Sequence, residues 1–150
     1  MEKTGKVKKN KIYTEEVYKT CLIAIDIYSD SEFSAKFYNS FSGTGQASSF
    51  HELIKKLDLL MDEIGCPMSG MKRRSFKKTE TGIEHSEEMK THENVVLRGK
   101  KATFVLKVLY RNNASWQGSV KWIEENREEH FRSVLELLWL IDSAVKGLLQ

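Results

Sequence analysis

At 150 residues, with 40% hydrophobic and 30% charged residues, the chain is long enough to bury one core without disulfide or metal staples. No apolar run is long enough to span a bilayer, and the lysine-rich start over residues 1–11 has no apolar stretch behind it. We therefore expect neither a transmembrane helix nor a secretory signal, and a cytoplasmic protein. A formal charge of +3 is too small to imply a nucleic-acid partner by itself.

Residues 1–12 carry Lys3, Lys6, Lys8, Lys9 and Lys11 with no periodic apolar pattern, which predicts a disordered basic arm before a single α+β domain over 13–150. From Cys21 to Tyr28 the chain alternates, with Ile23, Ile25 and Ile27 on one face, and this period of two predicts a strand. Ser29-Asp30-Ser31-Glu32 supplies turn residues, and Phe33, Ala35 and Phe37 then mark a returning strand that Gly43-Thr44-Gly45 interrupts. Ser49 with Glu52 has the spacing of a capping box. Leu53, Ile54, Leu57, Leu60, Met61 and Ile64 follow at helical spacing, and Gly65 before Pro67 is a stop signal.

Residues 66–100 have few large apolar residues and read as a connection containing a second basic cluster, Lys72, Arg73, Arg74, Lys77 and Lys78. Beyond it Phe104, Leu106, Val108 and Tyr110 alternate on one face, Asn112-Asn113-Ala114 makes a turn, and Gly118, Val120 and Trp122 continue the return strand. Trp122 is expected to be largely buried, and Glu124–Glu129 reads as a charged loop. Ser133 and Glu136 cap a final helix whose apolar residues include Val134, Leu137, Leu138, Ile141, Ala144, Val145 and Leu148.

The two helical runs share one pattern. Ser49, Glu52, Leu53, Leu57, Asp58 and Met61 match Ser133, Glu136, Leu137, Ile141, Asp142 and Val145 at the same spacing. Two ββα repeats, at 21–65 and 101–150, are therefore predicted to join into a four-stranded antiparallel sheet with both helices on one face.

The runs Tyr110-Arg111-Asn112-Asn113-Ala114-Ser115-Trp116-Gln117-Gly118 and Phe131-Arg132-Ser133-Val134-Leu135-Glu136-Leu137 resemble a family of short uncharacterised bacterial proteins. Lys36-Phe37-Tyr38-Asn39 resembles the same family's first half. The resemblance implies a bacterial, intracellular protein and no particular activity. Asn113-x-Ser115-x-x-Gly118 also resembles half of the PilZ cyclic-dinucleotide signature, but Arg-x-x-x-Lys stands where that signature has Arg-x-x-x-Arg. We read the match as a hairpin turn.

For catalysis the pattern offers little. His51, His85, His92 and His130 lack metal-ligand spacing, no glycine-rich phosphate loop is present, and Asp58 with Asp142 reads as a structural pair rather than a catalytic dyad. The chain is expected to be a non-enzymatic interaction or regulatory module with no cofactor or metal. It would act through a protein partner or as a homodimer, with Trp139, Leu138 and Val145 at the contact. The alternative is a nucleic-acid binder that uses Lys72, Arg73, Arg74, Lys107, Arg111 and Lys121.

Overall fold

The computed structural model describes residues 19–70, 73–76 and 97–147. The expected basic arm, Lys72 and most of the 66–100 connection lie outside them. The chain order is β1 (Thr20–Tyr28), β2 (Phe33–Asn39), β3 (Gly43–Ala47), α1 (Phe50–Ile64), β4 (Ala102–Tyr110), β5 (Gln117–Trp122), β6 (Arg127–Phe131) and α2 (Val134–Gly147). The strands form one antiparallel sheet in the order β3-β2-β1-β4-β5-β6.

This corrects the four-stranded arrangement of two ββα repeats. The sheet has six strands, and each helix follows three. Both additional strands are sheet edges, where the apolar alternation that marks a half-buried strand is not required. In β3, Gly45 stands opposite Phe37, and a Cβ there would lie 2.3 Å from the ring's Cζ. The glycine that reads as a break is what lets the aromatic ring cross the neighbouring strand. In β6 the sequence is Arg-Glu-Glu-His-Phe, exposed except for Phe131. It reads as a loop because it has one buried residue, yet it pairs with β5 from Gly118↔Phe131 to Trp122↔Arg127.

The centre of the sheet joins β1 to β4, with Ile23 opposite Phe104 and Cys21 opposite Leu106. One face of the sheet and both helices share a single core. Leu53, Leu57 and Met61 of α1 are buried, and so are Leu137, Ile141 and Val145 at the matching positions of α2. Ser49 Oγ accepts the Glu52 N–H at 2.9 Å, and Ser133 Oγ accepts the Glu136 N–H at 3.1 Å. Each glutamate reaches one residue further back than a simple capping box, to the amides of Ser48 and Arg132. Gly65, at φ 75°, closes α1 by donating to the Met61 carbonyl.

Near the C-terminal ends of both central strands a β-bulge interrupts the register. In β1 it lies between Ile25 and Ile27, and in β4 between Val108 and Tyr110. The extra residue reverses the alternation beyond it. Ile27 and Tyr110, expected to continue the apolar faces of their strands, are therefore exposed. The residues that follow them, Tyr28 and Arg111, come to the helix side instead. Trp122 is only half-buried against the core, and the buried indole ring is that of Trp116.

The residues of the PilZ-like match all have structural roles. Asn113 and Ala114, at φ 56° and 54°, form a two-residue left-handed turn closed by the Ser115 N–H on the Asn112 carbonyl. Ser115 Oγ accepts the Val134 N–H at the start of α2. A Cβ on Gly118 would lie 1.9 Å from the Lys107 carbonyl oxygen. Because that atom is backbone in the neighbouring strand, Gly118→Ala is expected to cost at least about 2 kcal/mol by forcing β4 and β5 apart. Urea denaturation measures this, and an unchanged midpoint would mean that the two backbones do not approach as described.

Candidate functional site

Three regions bring together side chains beyond what the core needs: an ion-pair cluster under the end of β4, the outer face of α2, and the far face of the sheet.

The cluster is built on Arg111, which the β4 bulge turns beneath the sheet. Its side chain is 4% exposed. A buried guanidinium must be neutralised and hydrogen-bonded to be tolerated. Nε donates to the Pro67 carbonyl at 2.7 Å, and Nη1 donates to Asp58 Oδ1 at 3.2 Å and Asp62 Oδ1 at 2.8 Å. The two carboxylates stand one turn apart on α1, so they share a side of the helix. Trp116 Nε1 donates to Asp58 Oδ1 at 3.0 Å. Arg73 approaches from outside, with Nη2 2.6 Å from the Oδ2 atom of each aspartate.

Burial acts to raise the Asp58 pKa, but the hydrogen bonds from Arg73, Trp116 and Arg111 outweigh it and hold the carboxyl below its ordinary value of 3.8. Asp142 has a simpler environment. Tyr28 Oη donates to its Oδ1 at 2.7 Å and Lys146 lies 3.3 Å away, and the tyrosine bond is the main cause of its lowered pKa. The Tyr28 hydroxyl, partly desolvated and bonded to that carboxylate, is pushed well above its usual value. Each helix aspartate thus accepts from the opposite half of the chain: Asp58 from Arg111 and Trp116, Asp142 from Tyr28. They are two separate braces rather than a carboxylate pair.

Beside the cluster a cavity of about 310 Å³ opens to solvent between Lys19, Cys66, Pro67, Met68, Tyr110 and Arg111. Cys66 is a half-buried thiol, while Cys21 is buried in the core, where desolvation pushes its pKa up to about 11. Among the described residues, no group of three His, Cys, Asp or Glu side chains is placed to hold a metal ion.

On α2 the expected contact residues separate. Val145 is buried against the sheet and Leu138 is half-buried, whereas Trp139 is 64% exposed. At roughly 100° per residue, Leu137, Ile141, Ala144 and Val145 fill one stripe and Trp139 points away from it. Leu135, one turn earlier and 62% exposed, stands beside Trp139. Sequence reasoning assigned Leu135 no role, although its i,i+4 spacing from Trp139 was visible.

Of the basic candidates, Arg111 and Arg73 are engaged with carboxylates, and Arg74 is exposed. Lys107 and Lys121 are exposed on the far face of the sheet, where Lys121 stands opposite Glu128 on β6. Gln117 on that side is taken up by the backbone of Asn112 and Arg132. Among the described residues no helix is long and apolar enough to cross a membrane. Comparison with family models, curated proteins and solved structures finds no match.

Two outcomes test the cluster. Arg111→Met is expected to destabilise the fold by about 3–5 kcal/mol, because it leaves two partly buried carboxylates without their inner cation. Chemical denaturation reads this directly. The Asp58 pKa is lower folded than unfolded, so its stabilisation is present above the unfolded value of about 3.8 and is lost as pH falls through the folded value. Asp58→Asn should therefore flatten the stability loss below about pH 4, as followed by thermal melting across an acid series.

Proposed function

We propose that the protein is a non-enzymatic interaction module that associates with a second copy of itself through the outer face of α2. The observation that carries this reading is the exposed pair Leu135 and Trp139, adjacent on a helix whose buried stripe is already complete without them. Large apolar and aromatic groups exposed together are the usual material of interface centres.

The sheet edges favour contact through a helix rather than through strand addition. β6 presents the charged Arg127, Glu128 and Glu129, which discourage pairing with another strand. On β3 the Gln46 carbonyl is occupied by the Lys56 ammonium at 2.6 Å. Around the apolar pair, Arg132, just before the helix, pairs with Glu136, and Lys146 pairs with Asp142, forming a polar rim that needs no partner charge. A twofold contact would bring each Trp139 near its mate, since such interfaces use one patch twice.

The test is sedimentation of the protein at micromolar concentration. Wild type is expected to sediment as a dimer. Trp139→Glu should weaken association at least about 30-fold, the effect of losing an interface anchor worth about 2 kcal/mol, with the monomer's melting temperature unchanged because the residue lies outside the core. Monomeric behaviour of both proteins at equal stability would overturn the reading. The nucleic-acid alternative depends on Lys107, Lys121 and Arg74 among the described residues. A gel shift with single-stranded DNA that weakens steeply with salt would favour it over self-association.

A further inference from the structure

The face of the sheet away from the helices carries its own pattern of charge and apolar surface. Ile23, Ile25, Phe104, Leu106 and Val120 belong to the core, so the residues between them in the strands point the other way. Among these, Leu22 on β1 and Val105 on β4 stand opposite each other, half-buried and outside the apolar core. Lys36 on β2, Lys107 on β4 and Lys121 on β5 are exposed around them. Lys121 lies directly opposite Val105, and Lys36 lies opposite Ala24, two residues on from Leu22. The turn at Gly99 closes one end of this aliphatic floor, its N–H donating to Thr103 Oγ1 at 2.9 Å.

Among the described residues, none of the three lysines forms an ion pair. On the helix side the carboxylates have cations of their own: Glu52 has Lys56, Asp58 and Asp62 share Arg73 and Arg111, Glu136 has Arg132 and Asp142 has Lys146. Against the three lysines stand Glu128, opposite Lys121 on the outermost strand, and Asp26, which accepts the Lys100 N–H. A positive balance remains, arranged around an apolar centre.

We propose that this face seats an acidic protein segment in extended conformation. An apolar side chain rests on Leu22 and Val105, with a carboxylate on either side, one for Lys36 and one for Lys107 or Lys121. β2 and β5 lie three strand spacings apart, about 14 Å. In an extended segment, residues four apart are separated by about 13 Å and point the same way, as does the residue midway between them. The pattern acidic-x-apolar-x-acidic therefore matches the spacing of the lysines. The occupant is a protein rather than a nucleic acid because bases stack on aromatic faces, whereas the floor on β1 and β4 is aliphatic. The seat faces away from α2, so it adds a second kind of contact to the self-association proposed above and does not rest on it.

Backbone amide resonances of the isotope-labelled full chain, followed during titration with the capped peptide Gly-Glu-Ser-Leu-Ser-Glu-Gly, test the seat. The amides of Leu22, Val105 and Lys121 are expected to shift, with a Kd below about 1 mM. The double variant Lys107→Glu, Lys121→Glu should bind at least about tenfold more weakly, with an unchanged melting temperature because both side chains are exposed. Replacing the peptide's leucine by serine should weaken binding at least about threefold, since the floor then covers no apolar group. Trp139→Glu should bind the peptide as wild type does, which separates this seat from the α2 contact.

Absence of shifts up to about 5 mM peptide, or shifts confined to other surfaces, would mean that the face takes no such segment. Equal binding of the serine peptide would mean that charge alone attracts it, without a seat on Leu22 and Val105. If single-stranded oligothymidylate shifts the same amides at lower concentration than the peptide, the occupant is nucleic acid, and the proposal is equally overturned.

Discussion

An extra residue near the end of each central strand controls the arrangement of the rest of the molecule. β1 and β4 lie side by side at the middle of the sheet, and each is bulged at the corresponding place, after Ile25 and after Val108. A strand without a bulge would keep Ile27 and Tyr110 on the helix face and send Tyr28 and Arg111 to the other side. The bulges reverse that choice. They place a hydroxyl and a guanidinium over the two helices, where Asp142 and Asp58 receive them. The helices are thereby fixed to the sheet by directional polar bonds in addition to apolar contact, and each bond crosses from one half of the chain to the other.

The two braces are chemically unequal. Tyr28 to Asp142 is a single hydrogen bond at the edge of solvent, flanked by Lys146. Arg111 brings a full charge beneath the sheet, and its desolvation has to be offset by two carboxylates, the Pro67 carbonyl and the shape of the surrounding backbone. The segment after α1 is drawn into the same arrangement, with the Gly70 N–H donating to the Arg111 carbonyl and Ser69 bridging to Arg111. A buried cation thus organises the chain on both sides of α1's end. Such a site is costly to break even where it adds little net stability, because removing one partner leaves buried charge uncompensated.

The surface carries a different message from the core. Both sheet edges are guarded, β6 by charges and β3 by the lysine that occupies its Gln46 carbonyl. Large apolar groups do reach solvent on α2, where Leu135 and Trp139 stand together opposite the buried stripe. Guarded strand edges beside an uncovered helix face are the observations behind the proposed self-association through α2.

The helices were legible in the sequence because their signals are local: a cap serine, a glutamate three residues on, apolar residues at helical spacing and a terminating glycine act within one turn. Four strands were legible for the same reason, since β1, β2, β4 and β5 are each sandwiched between neighbours and show alternating apolar residues. β3 and β6 were not, because an edge strand has a neighbour on one side only and can be built of Gly-Thr-Gly-Gln or Arg-Glu-Glu-His. Grouping Trp139, Leu138 and Val145 as one contact was not supported, because only the docking of α2 on the sheet decides where the buried stripe ends: it buries Val145, half-buries Leu138 and leaves Trp139 on the opposite side. The ion-pair cluster was the least legible. Asp58 and Asp62 lie far in the chain from Arg111 and Trp116, and Arg111 turns inward only because of a bulge that nothing in the alternation of Phe104 to Tyr110 announces. The sequence by itself determined elements whose signals lie within a few residues. The tertiary structure alone decided the register beyond each bulge, and with it which charges are buried against one another.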